Sequence, residues 1–247
     1  MREITIPVKW GDRLLHASLD QGHCIAIPLD HLHPQPNAFF APLYEAAPHK
    51  AGEWTGDTRS GASVNFYDLR LNPHGNGTHT ECVGHISRER YFVHDALADG
   101  FWRAQLISVY PSQFENGDRV IDHIEWEDGA EAIVLRTQPN YPDKMIRSYS
   151  GTNPPYLSAE LANKMADAGI MHLLLDLPSV DREEDGGALA AHKAFWQYPE
   201  TPRWDATITE MIYIDNVLAD GLYLLQIQMP AMKLDASPSR PYIYPLR

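Results

Sequence analysis

The sequence is poor in cysteine, with Cys24 and Cys82 the two in 247 residues. That is too few for a disulfide framework, allows at most one bridge, and points to a reducing compartment. No run of eighteen apolar residues occurs, so no membrane-spanning helix is expected. The opening residues, Met1 to Pro7, lack the long apolar core of a secretory leader, and the expected location is the cytoplasm. Positive charge is also scarce: 20 Lys and Arg stand against 33 Asp and Glu, a formal net charge of −13. Phosphate backbones attract basic surfaces, so nucleic acid is not an expected partner. Repeats, low-complexity tracts and charged tails are absent. What remains as the expected partner is a small-molecule substrate.

The rest of the composition is ordinary for a globular chain, 44% hydrophobic and 21% charged. Residues 1–247 are expected to form one domain, large enough to be stable without staples. The 19 prolines are dispersed, which predicts many loops and strand ends. Residues 30–59 read as one irregular stretch. It carries Phe39, Phe40, Tyr44 and Trp54, either as a wall against a ligand or as a wrap packed on the core.

Four short apolar runs predict strands buried on both faces: Cys24 to Leu29, Ala132 to Arg136, Met171 to Leu177 and Leu222 to Gln228. One helix is predicted from Leu157, Leu161, Met165 and Ala168, with Ser158 as its cap and Gly169 as its stop. Strands outnumber helices, so the fold class is α/β or α+β with a mixed central sheet.

The twelve histidines are unevenly spread. Three of them, His74, His79 and His85, share twelve residues with Glu81 and three glycines. In an extended segment His79 and Glu81 point to one face, and the even offset to His85 keeps it there in an unbroken strand. Imidazole nitrogen with carboxylate oxygen suits zinc, manganese or iron(II). Gly75 and Gly77 let the backbone turn tightly next to a ligand. The competing reading is a polar loop of hydrogen-bonded histidines. Cys82 alternates away from Glu81 and reads as a small buried apolar side chain rather than a ligand or nucleophile.

The run Gly77-Thr-His79-Thr-Glu81-Cys-Val-Gly-His85 resembles the signature of the cyclase family, H-x-G-T-H-x-D-x-P-x-H. Bacterial kynurenine formamidases and isatin hydrolases belong to that family. Downstream, Asp176-Leu-Pro-Ser179-Val-Asp181 is similar to the family's D-x-x-S-x-D, followed by His192 and by Thr209-Glu210. The resemblance spans roughly Cys24 to the C-terminus. It implies a swivelling β/β/α domain and an arylformamidase-like, metal-dependent hydrolysis of an N-formyl or lactam-like amide, as in tryptophan catabolism.

By the same resemblance one or two divalent ions, zinc or manganese, are held by His74, His79, Glu81, His192 and Glu210. His79 ligates one ion, which His74 joins through a one-residue bulge or insertion; Glu81 bridges to a second ion held by His192 and Glu210, and His85 is the general acid/base. Phe39, Phe40, Trp54 and Ser179 are expected at the substrate, and a homodimer or higher homo-oligomer is expected. Metal-acidified water would supply hydroxide near neutral pH, with His85 moving its proton.

Three departures stand out. The family's first His falls on Gly75, so His74 is one residue early; its Asp is Glu81; its Pro is Val83. Two rival functions share these residues: a metal-dependent lyase or isomerase such as a dehydratase, and a metal-bound protein without turnover. A serine triad is disfavoured because no G-x-S-x-G elbow occurs.

Overall fold

The computed structural model describes residues 4–97 and 100–247. Among them, nine strands form one mixed sheet. In chain order these are β1 (His23–Cys24), β2 (His79–Cys82), β3 (Trp102–Val109), β4 (Ala132–Thr137), β5 (His172–Leu175), β6 (Thr207–Glu210), β7 (Gly221–Gln228), β8 (Ala236–Pro238) and β9 (Arg240–Pro245). Across the sheet the order is β8-β2-β6-β5-β4-β3-β7-β9-β1. Strands β3, β4, β5 and β6 run parallel, and the flanking pairs are antiparallel. The fold is therefore mixed α/β.

The unbroken apolar runs have the expected cause. Ile133, Leu135, Leu173 and Leu175 face one core, while Ala132, Val134 and Leu174 face another on the far side of the sheet. The first core is closed by two helices. One spans Ala159–Asp167, and its Ser158 side chain accepts from Leu161 N. The other spans Ala190–Trp196 and buries Ala191, Phe195 and Trp196. Gly169 follows the first helix at φ 79°, the left-handed stop its position predicts.

The predicted strand at Cys24 to Leu29 is mostly not one. Only His23–Cys24 joins the sheet. Beyond it, Ile25 N bonds to Pro241 O while Tyr213 N bonds to Ile25 O, so the segment crosses between neighbours instead of following one ladder. Residues 30–59 are also less irregular than expected. Glu45–Pro48 pairs with Tyr67–Arg70, and Lys50–Ala51 with Trp54–Thr55.

Strand β2 is the element that positions the site. It lies between β6 and β8, which sets Glu210 opposite His79 and Ala236 opposite Glu81. The edge strand β8 contains Pro238, which an edge tolerates because its missing N–H is not needed in a ladder. No described helix is long and apolar enough to cross a membrane.

Candidate metal centre

Glu81 is the hub of the site and is fully buried. Its Oε2 lies 2.9 Å from His74 Nδ1, and its Oε1 accepts from His192 Nε2 at 3.1 Å. Each of those imidazoles is held from its far nitrogen by a second carboxylate. His74 Nε2 donates to Asp235 Oδ2 at 2.8 Å, and His192 Nδ1 donates to Asp181 Oδ2 at 2.6 Å. The result is a chain of five side chains, Asp235–His74–Glu81–His192–Asp181, with Glu81 at its centre.

His79 is arranged on the same principle. Its Nδ1 donates to the Gly77 carbonyl at 3.0 Å, which leaves Nε2 as the bare nitrogen, 3.4 Å from Glu210 Oε2. Glu210 is itself steadied by Val180 N, which donates to its Oε1 at 2.9 Å. His85 is the accessible member. Its side chain is 29% exposed, with Nδ1 3.5 Å from Asp235 Oδ2 and 3.9 Å from Glu81 Oε2.

Charge follows from these contacts. Burial opposes charge on His74, yet Asp235 and Glu81 beside it outweigh that and raise its pKa to about 10. His192 is likewise raised to about 10, because Asp181 and Glu81 overcome its burial. Burial would push Glu81 up, but the histidines around it hold its carboxyl well below the usual range. The hydrogen bond from His74 and the nearby His85 imidazole depress Asp235. A carboxylate flanked by positive imidazoles is a place where a cation can replace protons.

Two buried atoms, His79 Nε2 and Glu81 Oε2, have no hydrogen-bond partner among the described residues. Close as His74 Nδ1 comes to Glu81 Oε2, the contact is an ion pair without hydrogen-bond geometry. Leaving a buried polar atom unpaired costs about 1–3 kcal/mol. Both atoms are lone-pair donors of the kind that bind divalent ions, so the residues present fit a metal. Donor atoms of His79, Glu81 and Glu210 lie within 4.8 Å of one another, as do those of His74, Glu81 and His85. The family's division, with His74 and His79 on one ion, differs from this sorting.

The structure gathers His74, His79, Glu81, His85, His192 and Glu210 from separate segments of the chain. His74 reaches Glu81 although it is one residue early. At Gly75 a Cβ would meet the Ala41 Cβ at 2.3 Å, so no side chain fits at the position the family pattern marks, and the chain turns through Gly77 at φ 73° between His74 and the strand. His85 arrives by another route than an unbroken strand: Val83–His85 is a 3-10 turn that follows β2.

Beside the histidines lies a cavity of about 410 Å³ whose lining includes Phe39, Leu189, Ser179, His85 and Glu210. Phe39 and Leu189 hold left-handed backbone conformations, φ 56° and 50°, a strain of the kind concentrated at binding sites. Phe40 and Trp54 are not in that lining. Phe40 is 78% exposed, and Trp54 packs near Phe66 with ring centroids 6.2 Å apart.

Thr78 binds backbone: Ile27 N donates to its hydroxyl, which donates to Met211 O. Cys82 is buried against Val93 and Ala96, and burial pushes its thiol up to about 12. Asp176 accepts from Thr137 and Lys144 and ties the ends of β4 and β5.

Asp235 escaped the sequence reading. It stands 161 residues from His74 with no motif around it. Asp181 lay inside a quoted motif, but nothing in the spacing showed that it grips His192.

A histidine–carboxylate cluster on one edge of a mixed α/β sheet defines a candidate metal centre. The chain belongs to the cyclase family, whose model matches residues 6–182. It is 28% identical over 211 residues to a kynurenine formamidase of Bacillus cereus, covering 78% of this chain and 91% of that one. A kynurenine formamidase of Bacillus mycoides is 26% identical over 210 residues, with the same coverage of 78% and 91%.

Among solved structures, isatin hydrolase A from Labrenzia aggregata, bound to benzyl benzoate, superposes with a TM-score of 0.61. It is 13% identical, with 90% of this chain and 93% of that chain covered. A Bacillus stearothermophilus protein described as a "predicted metal-dependent hydrolase" gives 0.61 at 14% identity, covering 90% and 97%. At such identities the structures establish the fold.

Proposed function

We propose that the protein is a metal-dependent hydrolase acting on the C–N bond of a small amide, N-formyl or lactam-like. The observation that carries this reading is the pair of buried, unpartnered donor atoms on His79 and Glu81. They lie beside a cavity of about 410 Å³, large enough for a small flat molecule. The kynurenine formamidases and isatin hydrolases similar to this chain support the substrate class.

His79, Glu81 and Glu210 would hold one divalent ion, zinc or manganese, with His192 beside them. His74 and Glu81 would face a second. A bound ion supplies Lewis-acid polarisation of the carbonyl and acidification of water. His85 is the proton carrier, since it is the most accessible histidine of the cluster and lines the cavity. It takes a proton from the attacking water and returns it to the nitrogen, which leaves as a neutral amine. Phe39 and Leu189 form the apolar wall. Ser179 Oγ accepts from Asp181 N, so its own proton is available to a substrate oxygen.

One observation favours a second arrangement. His74, Glu81 and His85 offer donor atoms within 4.8 Å of one another, so His85 can close an outer ion site itself. A homodimer or higher assembly remains part of the proposal, on the strength of the resemblance.

Chelator-stripped protein is expected to lose hydrolysis of an N-formyl and lactam panel and to regain it with zinc or manganese. Full activity after stripping contradicts the reading. His85→Ala separates the two arrangements: a proton carrier leaves metal content intact and abolishes turnover, whereas a ligand takes one metal equivalent with it.

A further inference from the structure

His74 is the one cluster histidine whose place departs from the family spacing, and it needs something to aim it. The side chain that meets it comes from the opposite end of the chain. Asp235 precedes β8, and its backbone is pinned to the motif strand: Cys82 N donates to Asp235 O at 3.0 Å, and the next residue, Ala236, pairs with Glu81. From that fixed point Asp235 Oδ2 accepts from His74 Nε2 at 2.8 Å. With Nε2 engaged, Nδ1 is the nitrogen left to face Glu81 Oε2, 2.9 Å away.

The other flank of Glu81 shows the same construction in mirror order. Asp181 holds His192 by Nδ1 and turns Nε2 toward Glu81. Carboxylates that grip the outer nitrogen of a metal-ligating histidine fix which nitrogen ligates and how the ring is turned. The Asp235 side chain is 37% exposed, so the interior does not depend on it for packing.

We propose that Asp235 is a positioning residue that commits His74 to ligation through Nδ1, supplying the orientation that the displaced histidine requires. This rests on the reading of the cluster as a divalent metal centre.

The test is zinc affinity of the full-length protein, measured by competition with a chromophoric chelator. It compares wild type, Asp235→Ala, Asp235→Asn, His74→Ala and the double variant Asp235→Ala/His74→Ala. His74→Ala is expected to weaken one zinc equivalent. Asp235→Ala is expected to weaken the same equivalent by about 10–100-fold and to add nothing in the His74→Ala background. Asp235→Asn keeps an oxygen that accepts from Nε2–H and is expected to restore most of the affinity.

Wild-type affinity in Asp235→Ala overturns the inference alone. So does an equal loss in both backgrounds, because Asp235 would then act without His74. His74→Ala that binds as wild type overturns it too and leaves the His79 side of the site standing. A wild-type protein that takes up no zinc overturns the metal-centre reading and this inference together.

Discussion

His172 and His192 are both buried, yet their neighbours drive them in opposite directions. Burial opposes charge on each. At His192 the hydrogen bonds to Asp181 and Glu81 prevail and its pKa is raised to about 10. At His172 burial prevails and the pKa falls to about 3. The His172 ring meets the Thr207 hydroxyl at 2.8 Å and the Trp102 ring, edge-on with centroids 4.3 Å apart. The unfolded chain binds a proton at His172 near the ordinary value of 6.5, while the folded chain resists it. The sign is therefore fixed: stability is full above that value and falls as the pH drops toward about 3, by up to about 1.4 kcal/mol per pH unit from this residue. Urea unfolding is expected to show a smaller loss between about pH 7 and about pH 5 for His172→Gln than for wild type. Equal losses contradict it. The apolar run Met171 to Leu177 marked His172 for burial, but its surroundings, and so the direction of its shift, come from strands that meet it from elsewhere. The surroundings of Asp235 likewise come from elsewhere in the chain. His79, Glu81 and His85 were legible because their neighbours within a few residues carry a pattern.

The turn from Asn72 to Gly77 shows what sequence spacing misses at the level of elements. The family spacing puts its first histidine at position 75, where this chain has Gly75, with His74 expected to ligate from one residue earlier; Ala38 and Ala41 occupy the space a side chain at 75 would need. The segment that blocks it was itself read as irregular loop, and its role as a wall is visible only once folded. Gly75→Ala is expected to destabilise by about 1–3 kcal/mol through overpacking, seen in urea midpoints, and to weaken zinc binding as His74 shifts. Unchanged stability and zinc affinity would mean that the turn can yield.

The strands fared according to their surroundings. Ala132–Thr137 and Gly221–Gln228 were legible because each is sandwiched between two cores. The run after Cys24 is equally apolar, with Ile25 and Ile27 buried, but it is buried as a crossing segment. Burial alone does not distinguish the two cases.

On the scale of the whole molecule, the sheet does for the site what no local motif can. It brings His79 and Glu81 from β2, Glu210 from β6 and Asp235 from the approach to β8 onto adjacent strands. The loop after β5 and the helix at Ala190–Trp196 add Asp181 and His192 from the other side. Part of the acidic excess behind the net charge of −13 is buried here as Glu81, Asp181 and Glu210, carboxylates that have a use for cations. The central claim is that this convergence binds a divalent ion through His79. The most direct measurement is the zinc and manganese content per chain of purified wild type and His79→Ala, by elemental mass spectrometry after dialysis. The account predicts stoichiometric metal in the wild type and its loss in a His79→Ala protein whose circular dichroism is unchanged. A folded His79→Ala protein that keeps both its metal and its amide hydrolysis would contradict it.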